Sequence, residues 1–297
     1  MRGRAIAAVV GTTLAWAGIY IVADLIVDSI DPISMSLLRW GPAAIVLLVL
    51  AQLVERPDWR AVLREWPKLL LLGCLGMAGF STLLLEGLRH TTAVSSSIIG
   101  AAGPVLIAVL AAIFLRQRLG WRMVVGLVLS VFGVLLVVTQ GSFSTLLEIG
   151  INVGDIWIIL ATLCWTAYAL LGRLQAGIPV ITSTAVQAAL GSIVLGVIVS
   201  FTGLQLPKDA LSWTGIAYLA LIGSALALGL WTYGLRTLTP AAAGILLNLT
   251  PLFTVALALI LGDAVGVWEA LGGVVILAGV VLGTLPARRS PVSNTVP

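Results

Sequence analysis

Three ionisable residues, Asp24, Arg39 and Glu86, fall inside long apolar runs of a chain in which only 9% of residues are charged. An ionisable side chain among so many apolar neighbours is costly to bury, so each is a candidate for chemistry: pairing with a counter-ion, carrying a proton or binding a charged ligand. Arg39 has no counterpart in the second half of the chain, where Val186-Gln187 occupies the related stretch. A residue that breaks a repeat is not mere scaffold. Two readings of it stand together: an ion pair with Asp24, or a cation that faces a cavity and attracts an anionic group such as a carboxylate. Asp24 and Glu86 are the candidate coupling residues, although Arg89 lies three residues beyond Glu86 and a helix would set those two on one face as an ion pair.

Aromatic residues recur at helical spacing beside these charges. Trp16, Tyr20 and Asp24 are four apart, and Trp165 and Tyr168 three apart, so each set forms one stripe along a helix. Such stripes serve packing or line a ligand site. Trp16 and Trp165 sit in the middle of their runs, away from the interfacial belts where tryptophan concentrates. Their faces would suit an apolar or aromatic group, and equally an organic cation. Asn248, three residues before Pro251, needs a partner for its amide, from a neighbouring helix, from backbone freed by the proline or from a ligand. Ser95, Ser96 and Ser97 read as hydroxyls that bond back to their own helix. The candidate substrate-binding set is therefore Trp16, Tyr20, Arg39, Trp165, Tyr168 and Asn248. Gly103-Pro104 and Thr250-Pro251 each interrupt an apolar run with a proline, which removes a backbone donor and bends a helix; they are the candidate hinges.

The elements that must position these residues are helices in a bilayer. With 60% hydrophobic residues and a mean hydropathy of +1.15, the chain is far from the composition of a soluble domain, about a quarter of which is charged. We expect an all-α polytopic membrane protein with ten spans, over 5–27, 33–54, 68–88, 92–115, 121–139, 154–174, 180–202, 212–235, 240–261 and 266–285. Links 55–67 and 140–153 are long enough for surface structure, and Trp59 and Trp66 mark the first as interfacial. With a cytoplasmic N-terminus, thirteen of the 16 Lys and Arg fall on the cytoplasmic side and two, Arg89 and Lys208, on the other, leaving Arg39 within a span. That asymmetry places both termini in the cytoplasm. The N-terminal run contains Asp24 and is too long for a signal peptide, so it reads as a retained span.

The basic balance follows topology, which argues against nucleic acid. One histidine and two cysteines, Cys74 and Cys164, offer no metal cluster or disulfide framework, and no cofactor is expected. A membrane transferase would need clustered acids; the one close pair is Asp28 with Asp31, and no Gly-rich phosphate loop appears, so no enzyme is expected.

The chain is duplicated. Glu86-Gly87-Leu88-Arg89 and Tyr233-Gly234-Leu235-Arg236 stand 147 apart, as do Pro104 and Pro251; Gly126 and Gly133 match Gly272 and Gly279 at 146, and Trp16 matches Trp165 at 149. Five spans per copy turn the second copy upside down, giving two inverted five-helix repeats, 1–141 and 154–286, joined by a linker, 142–153, and followed by a cytoplasmic tail, 287–297. Secondary transporters with this architecture bind substrate near the midplane between the copies.

These features resemble the drug/metabolite transporter superfamily in its ten-helix EamA branch. In the first half the resemblance rests on Ala15-Trp16-Ala17-Gly18, Pro32 with Leu38-Arg39, Thr92-Ala93 through Pro104, and Gly126 with Gly133. In the second it rests on Gly154-Asp155, Trp165-Thr166-Ala167-Tyr168, Trp231 through Leu235, Pro240-Ala241 through Pro251, and Gly272 with Gly279. The acid that the family carries in the turn after the proline-bearing helix is present as Asp263 but replaced in the first half by Arg116-Gln117-Arg118. The resemblance implies export of small metabolites by alternating access from a bacterial inner membrane, amino acids including aromatic ones being well represented, with cationic drugs as the alternative. A passive channel is a further option that counterflow would separate. The expected partners are a small-molecule substrate and the lipid bilayer; oligomeric state is not readable.

Overall fold

A computed structural model describes residues 2–100, 103, 121–138, 152–172, 177–235, 237–238, 246–247, 249–262 and 265–284. Everything regular among them is helical. Among the described residues six helices are long and apolar enough to cross a membrane: α1 (Arg2–Ile26), α2 (Pro32–Val54), α4 (Trp66–Leu88), α7 (Val153–Leu171), α8 (Val180–Thr202) and α9 (Ala210–Leu235). The short α3 (Trp59–Arg64) occupies the first long link. Within the other four expected spans lie α5 (Ala93–Gly100), α6 (Trp121–Val138), α10 (Leu249–Leu261) and α11 (Val267–Thr284). Most of the second long link lies outside the described residues.

Helix starts follow local capping chemistry. Asp31 accepts from the Ile33 and Ser34 amides, with Pro32 in the first turn of α2, and Asn152 accepts from Gly154 at the start of α7. Pro179 precedes α8 and offers no side-chain acceptor, so the cap is imported. Glu55, at the end of α2, accepts from the Ile181 amide at 3.0 Å and from the Thr182 amide and hydroxyl at 2.7 Å each. At the opposite end Gln205, just past α8, accepts from the Asp31 amide through its side chain, while its own amide donates to Ser34. These contacts tie α2 and α8 together at both ends and show that they run antiparallel.

Two further long pairs cross between the halves. Helix α1 runs antiparallel to α9, and α4 antiparallel to α7, and the two pairings share one pattern of contacts. A Cβ on Gly87 of α4 would stand 2.4 Å from Ile158 of α7, and one on Gly234 of α9 would stand 2.3 Å from Val9 of α1. A Cβ on Gly76 would stand 2.7 Å from the Tyr168 ring, and one on Gly223 would stand 2.7 Å from Ile19. The glycines are 147 apart in both cases and their partners 149 apart. Helices α6 and α11 also pack along each other, with Gly133 against the Gly272 carbonyl.

Both α4 and α9 contain a π-helical stretch at related positions, Gly73–Gly79 and Tyr218–Leu226. The hydropathy pattern carries no sign of either. A π turn widens a helix locally and is frequent at functional sites. Helix α2 carries Pro42 in its interior.

The outward surfaces are apolar, with Ile45, Leu53, Ile193, Phe201 and Ile260 all more than half exposed. That suits lipid contact and would be a liability in water.

Two predictions follow from these contacts. Glu55→Ala strips the α8 amides of their acceptor and should lower the stability of the detergent-purified protein by about 1–2 kcal/mol, read as a lower Tm, with Glu55→Gln losing less. Alanine at Gly73, where a Cβ would stand 2.5 Å from the Gln187 carbonyl, or at Gly234 should destabilise by about 1–3 kcal/mol. The same change at Gly196, where nothing lies within 4 Å, should stabilise by about 0.5–1 kcal/mol. Equal Tm values for the three alanine variants would contradict the close-packing account.

Candidate functional site

Four helices contribute to one aromatic cluster. Trp165 of α7 is its hub: its ring centroid lies 6.3 Å from that of Trp16 on α1 at an edge-on 82°, and 5.1 Å from both Phe80 on α4 and Tyr168 on α7. Trp16 also meets Trp231 of α9 at 5.9 Å. Each such contact contributes about 0.5–1.5 kcal/mol beyond area burial. Both halves of the chain supply rings. All five residues remain partly accessible rather than sealed in the core. The expected pair of Trp16 and Trp165 is thus in direct contact, and Phe80 and Trp231 join it without having been singled out as site residues.

Tyr168 and Tyr20 are placed by glycines. The Tyr168 ring lies over Gly76 within the π stretch of α4, and the Tyr20 hydroxyl lies against Gly100 of α5, 2.8 Å from where a Cβ would stand. Tyr20 is one turn along α1 from Trp16 and close enough to Arg39 to interact with it electrostatically.

Arg39 lies in the second turn of α2 and is 3% exposed. Its Nε donates to the Ser224 hydroxyl at 2.9 Å, and its guanidinium carbon lies 4.9 Å from the centroid of the Trp40 ring. Ser224 belongs to the π stretch of α9. Two donors here have no hydrogen-bond partner, Nη1 of Arg39 and Nε1 of Trp40, and Trp40 is 5% exposed. No ion pair joins Arg39 to Asp24; among the described residues the ion pairs are Lys68 with Glu65 and Glu86 with Arg89 and His90. Of the two sequence readings of Arg39, the Asp24 pair is therefore corrected: the nearest partner is a neutral hydroxyl from the other half of the chain. One turn from Arg39 on α2, Ser36 accepts from Thr82 and donates to Ser81, each at 3.2 Å, which links α2 to α4.

The remaining expected residues fall elsewhere. Asp24 is half-buried on α1, one turn beyond Tyr20, and engaged in an interaction of its own. Glu86 lies 3.6 Å from Arg89 and 3.5 Å from His90 at the end of α4, away from the aromatic cluster in the chain. Gly103 is buried, facing Thr162 of α7. Pro104 and Asn248 lie outside the described residues. Ser97 bonds back to Val94, while Ser95 shares a hydrogen bond with Thr92.

Pro251 is buried in α10 and cannot donate to the Leu247 carbonyl one turn earlier. The Thr250 hydroxyl takes that carbonyl at 2.7 Å, and Thr13 of α1 reaches the adjacent Leu246 carbonyl at 3.3 Å. The carbonyls next to the proline are thus satisfied by protein. A separate apolar groove of about 520 Å³ runs between α2, α8 and α9, lined by Val46, Leu50, Ile181, Ala225 and Tyr233 among others, and includes none of the aromatic cluster.

An aromatic cluster shared by the two halves, together with a buried cation that keeps one unsatisfied donor, suits binding of a small charged organic molecule. No group of three or more metal-ligating side chains occurs among the described residues. Comparison with known proteins agrees with a transport role. The model of the EamA-like transporter family matches twice, over residues 3–139 and 152–285. The chain is 29% identical over 279 residues to the uncharacterized transporter YyaM of Bacillus subtilis, covering 92% of this chain and 91% of that one. It is 26% identical over 304 residues to a probable terminal-alkyne amino-acid exporter of Streptantibioticus cattleyicolor, covering 96% of each. A solved crystal structure shares the fold with a TM-score of 0.70 at 18% identity, over 97% of this chain and 99% of that one. With the family model spanning nearly the whole sequence in two copies, this chain belongs to the EamA-like transporter family, membrane proteins that move small molecules.

Proposed function

We propose that this protein exports small metabolites, amino acids foremost, by alternating access between two inverted five-helix repeats that together make ten transmembrane helices. The observation that carries this reading is the aromatic cluster, built from Trp16 and Phe80 of one half and Trp165, Tyr168 and Trp231 of the other. A site assembled from both halves changes shape when they rock against each other, which is what a carrier requires and a one-sided receptor does not. The repeated glycine contacts support the inverted repeat, since exchanging the halves maps α1 on α9 onto α7 on α4. The amino-acid preference draws on the name of the Streptantibioticus cattleyicolor relative and on the aromatic walls.

In this reading Gly103-Pro104 and Thr250-Pro251 are the hinges, and Asp24 and Glu86 the groups through which a proton gradient would act. Asn248 contributes from the hinge region of the second copy. The protein works in a bacterial inner membrane with residues 2–4 and 287–297 on the cytoplasmic side.

The test is counterflow in proteoliposomes. Vesicles preloaded with unlabelled phenylalanine or threonine should accumulate the labelled amino acid transiently and saturably. Labelled uptake that rises linearly with concentration and shows no such overshoot identifies a passive channel and sinks the carrier mechanism. Counterflow by organic cations alone replaces the amino-acid assignment with drug export. Ala at Trp165, the hub of the cluster, should reduce amino-acid counterflow at least tenfold while the purified protein stays monodisperse.

A further inference from the structure

Arg39 is a buried cation held among neutral groups. Its Nε donates to the Ser224 hydroxyl, Trp40 lies under the guanidinium, and Tyr20 stands nearby. Removing a guanidinium from water costs several kcal/mol unless an opposite charge and full hydrogen bonding compensate it. Here Nη1 has no partner and no carboxylate of the described residues pairs with it, while the indole Nε1 of adjacent Trp40 is a second buried donor without an acceptor. A buried guanidinium with an unsatisfied N–H, stacked 4.9 Å from the centroid of a ring that carries a second one, has hydrogen-bonding capacity left for an anion.

The surroundings restrict the anion further. Tyr20 lies beside Arg39, and Trp16 lies one turn along the same face of α1, about 6 Å further on. Trp16 in turn meets the Trp165 and Trp231 rings, so the aromatic cluster begins one turn of α1 from the Tyr20 that neighbours Arg39. Ser224 sits in the π stretch of α9, whose widened turn presents the hydroxyl to α2. Resting on the transporter reading above, we infer that Arg39, anchored by Ser224 and assisted by Trp40, is the carboxylate-binding site of this carrier, and that the recognised class is a small carboxylate bearing an apolar or aromatic group. The carboxylate, rather than an ammonium, is the group that the site demands. The second half has the neutral Gln187, which donates to Ser183, in the related stretch, so the site occurs once and sets one orientation for the substrate.

The experiment uses the purified full chain in detergent and four probes: 3-phenylpropionate, phenylalanine, phenethylamine and propionate. Binding is read by tryptophan fluorescence and by the shift in Tm. The two aromatic carboxylates should bind saturably. Phenethylamine, which lacks the carboxylate, and propionate, which lacks the ring, should bind at least tenfold more weakly. Arg39→Gln should abolish the carboxylate response, Arg39→Lys should retain part of it, and Ser224→Ala, which keeps the charge but frees its anchor, should weaken it about tenfold. Phenethylamine binding as well as phenylpropionate, no saturable binding of either aromatic carboxylate, or carboxylate binding untouched by Arg39→Gln would each overturn the inference. If Arg39→Gln does not fold, the probe series on the unaltered protein still decides. Saturable carboxylate binding without counterflow would overturn the carrier reading and leave the site standing. Counterflow indifferent to Arg39→Gln would do the reverse.

Discussion

Inside a bilayer, helices gain nothing from leaving water, and their association depends on how closely two backbones can approach. In this protein glycine sets that distance. Gly87 receives Ile158 and Gly234 receives Val9, and the corresponding seats at Gly76 and Gly223 take Tyr168 and Ile19. These contacts hold α4 on α7 and α1 on α9, and the aromatic cluster lies where those pairs converge. A larger residue at any seat would push apart helices that carry Trp16, Phe80, Trp165 and Trp231. The site is thus a product of interhelical spacing before it is a set of side chains.

Polar groups obey the same constraint. Each backbone group freed within a membrane helix must find a partner in the protein. Thr12 and Thr13 on α1 each share one hydroxyl proton between a carbonyl of their own helix and one outside it, Ala227 on α9 for Thr12 and Leu246 before α10 for Thr13. Thr250 occupies the carbonyl that Pro251 leaves vacant. Glu55 supplies the cap that Pro179 cannot. Hydroxyls and one carboxylate therefore do at irregular positions what the helical ladder does elsewhere, and they hold segments of the two halves in register.

Much of this was legible from residue order. Hydropathy alone located the six long helices to within a few residues, because an apolar run of that length has one stable form in lipid. Trp16 and Trp165 stood out as tryptophans in mid-run, 149 residues apart, and the fold brings their rings into contact. The π stretches of α4 and α9 left no trace, as they arise from tertiary packing around small residues rather than from any residue preference. Ser224 was equally hidden: in Gly223-Ser224-Ala225 it looks like one more small residue for close packing, and only the fold brings Arg39 to it. Asp24 misled because it lies near Arg39 in sequence across a tight turn, whereas proximity along the chain does not fix which way a long side chain points. Pro42 lies inside α2 without interrupting it, and nothing in the apolar run around it marks the position.

The Arg39 contact bears on how the chain is made. The hydrogen-bond partner of Arg39 lies 185 residues further along, in a helix that does not yet exist when α2 leaves the ribosome. Helix α2 must therefore partition into lipid carrying a charge that nothing downstream has satisfied. An arginine at the centre of a helix opposes insertion by about 2.5–3.5 kcal/mol, but Arg39 is only two turns from the start of α2, and its long side chain can extend along the helix to the headgroups. The apolar residues of the remaining turns then outweigh it. Placed deeper, the same guanidinium would meet the insertion machinery as an obstacle rather than as a group awaiting α9. A charge this near the helix start is one that the order of synthesis can accommodate before its partner is made.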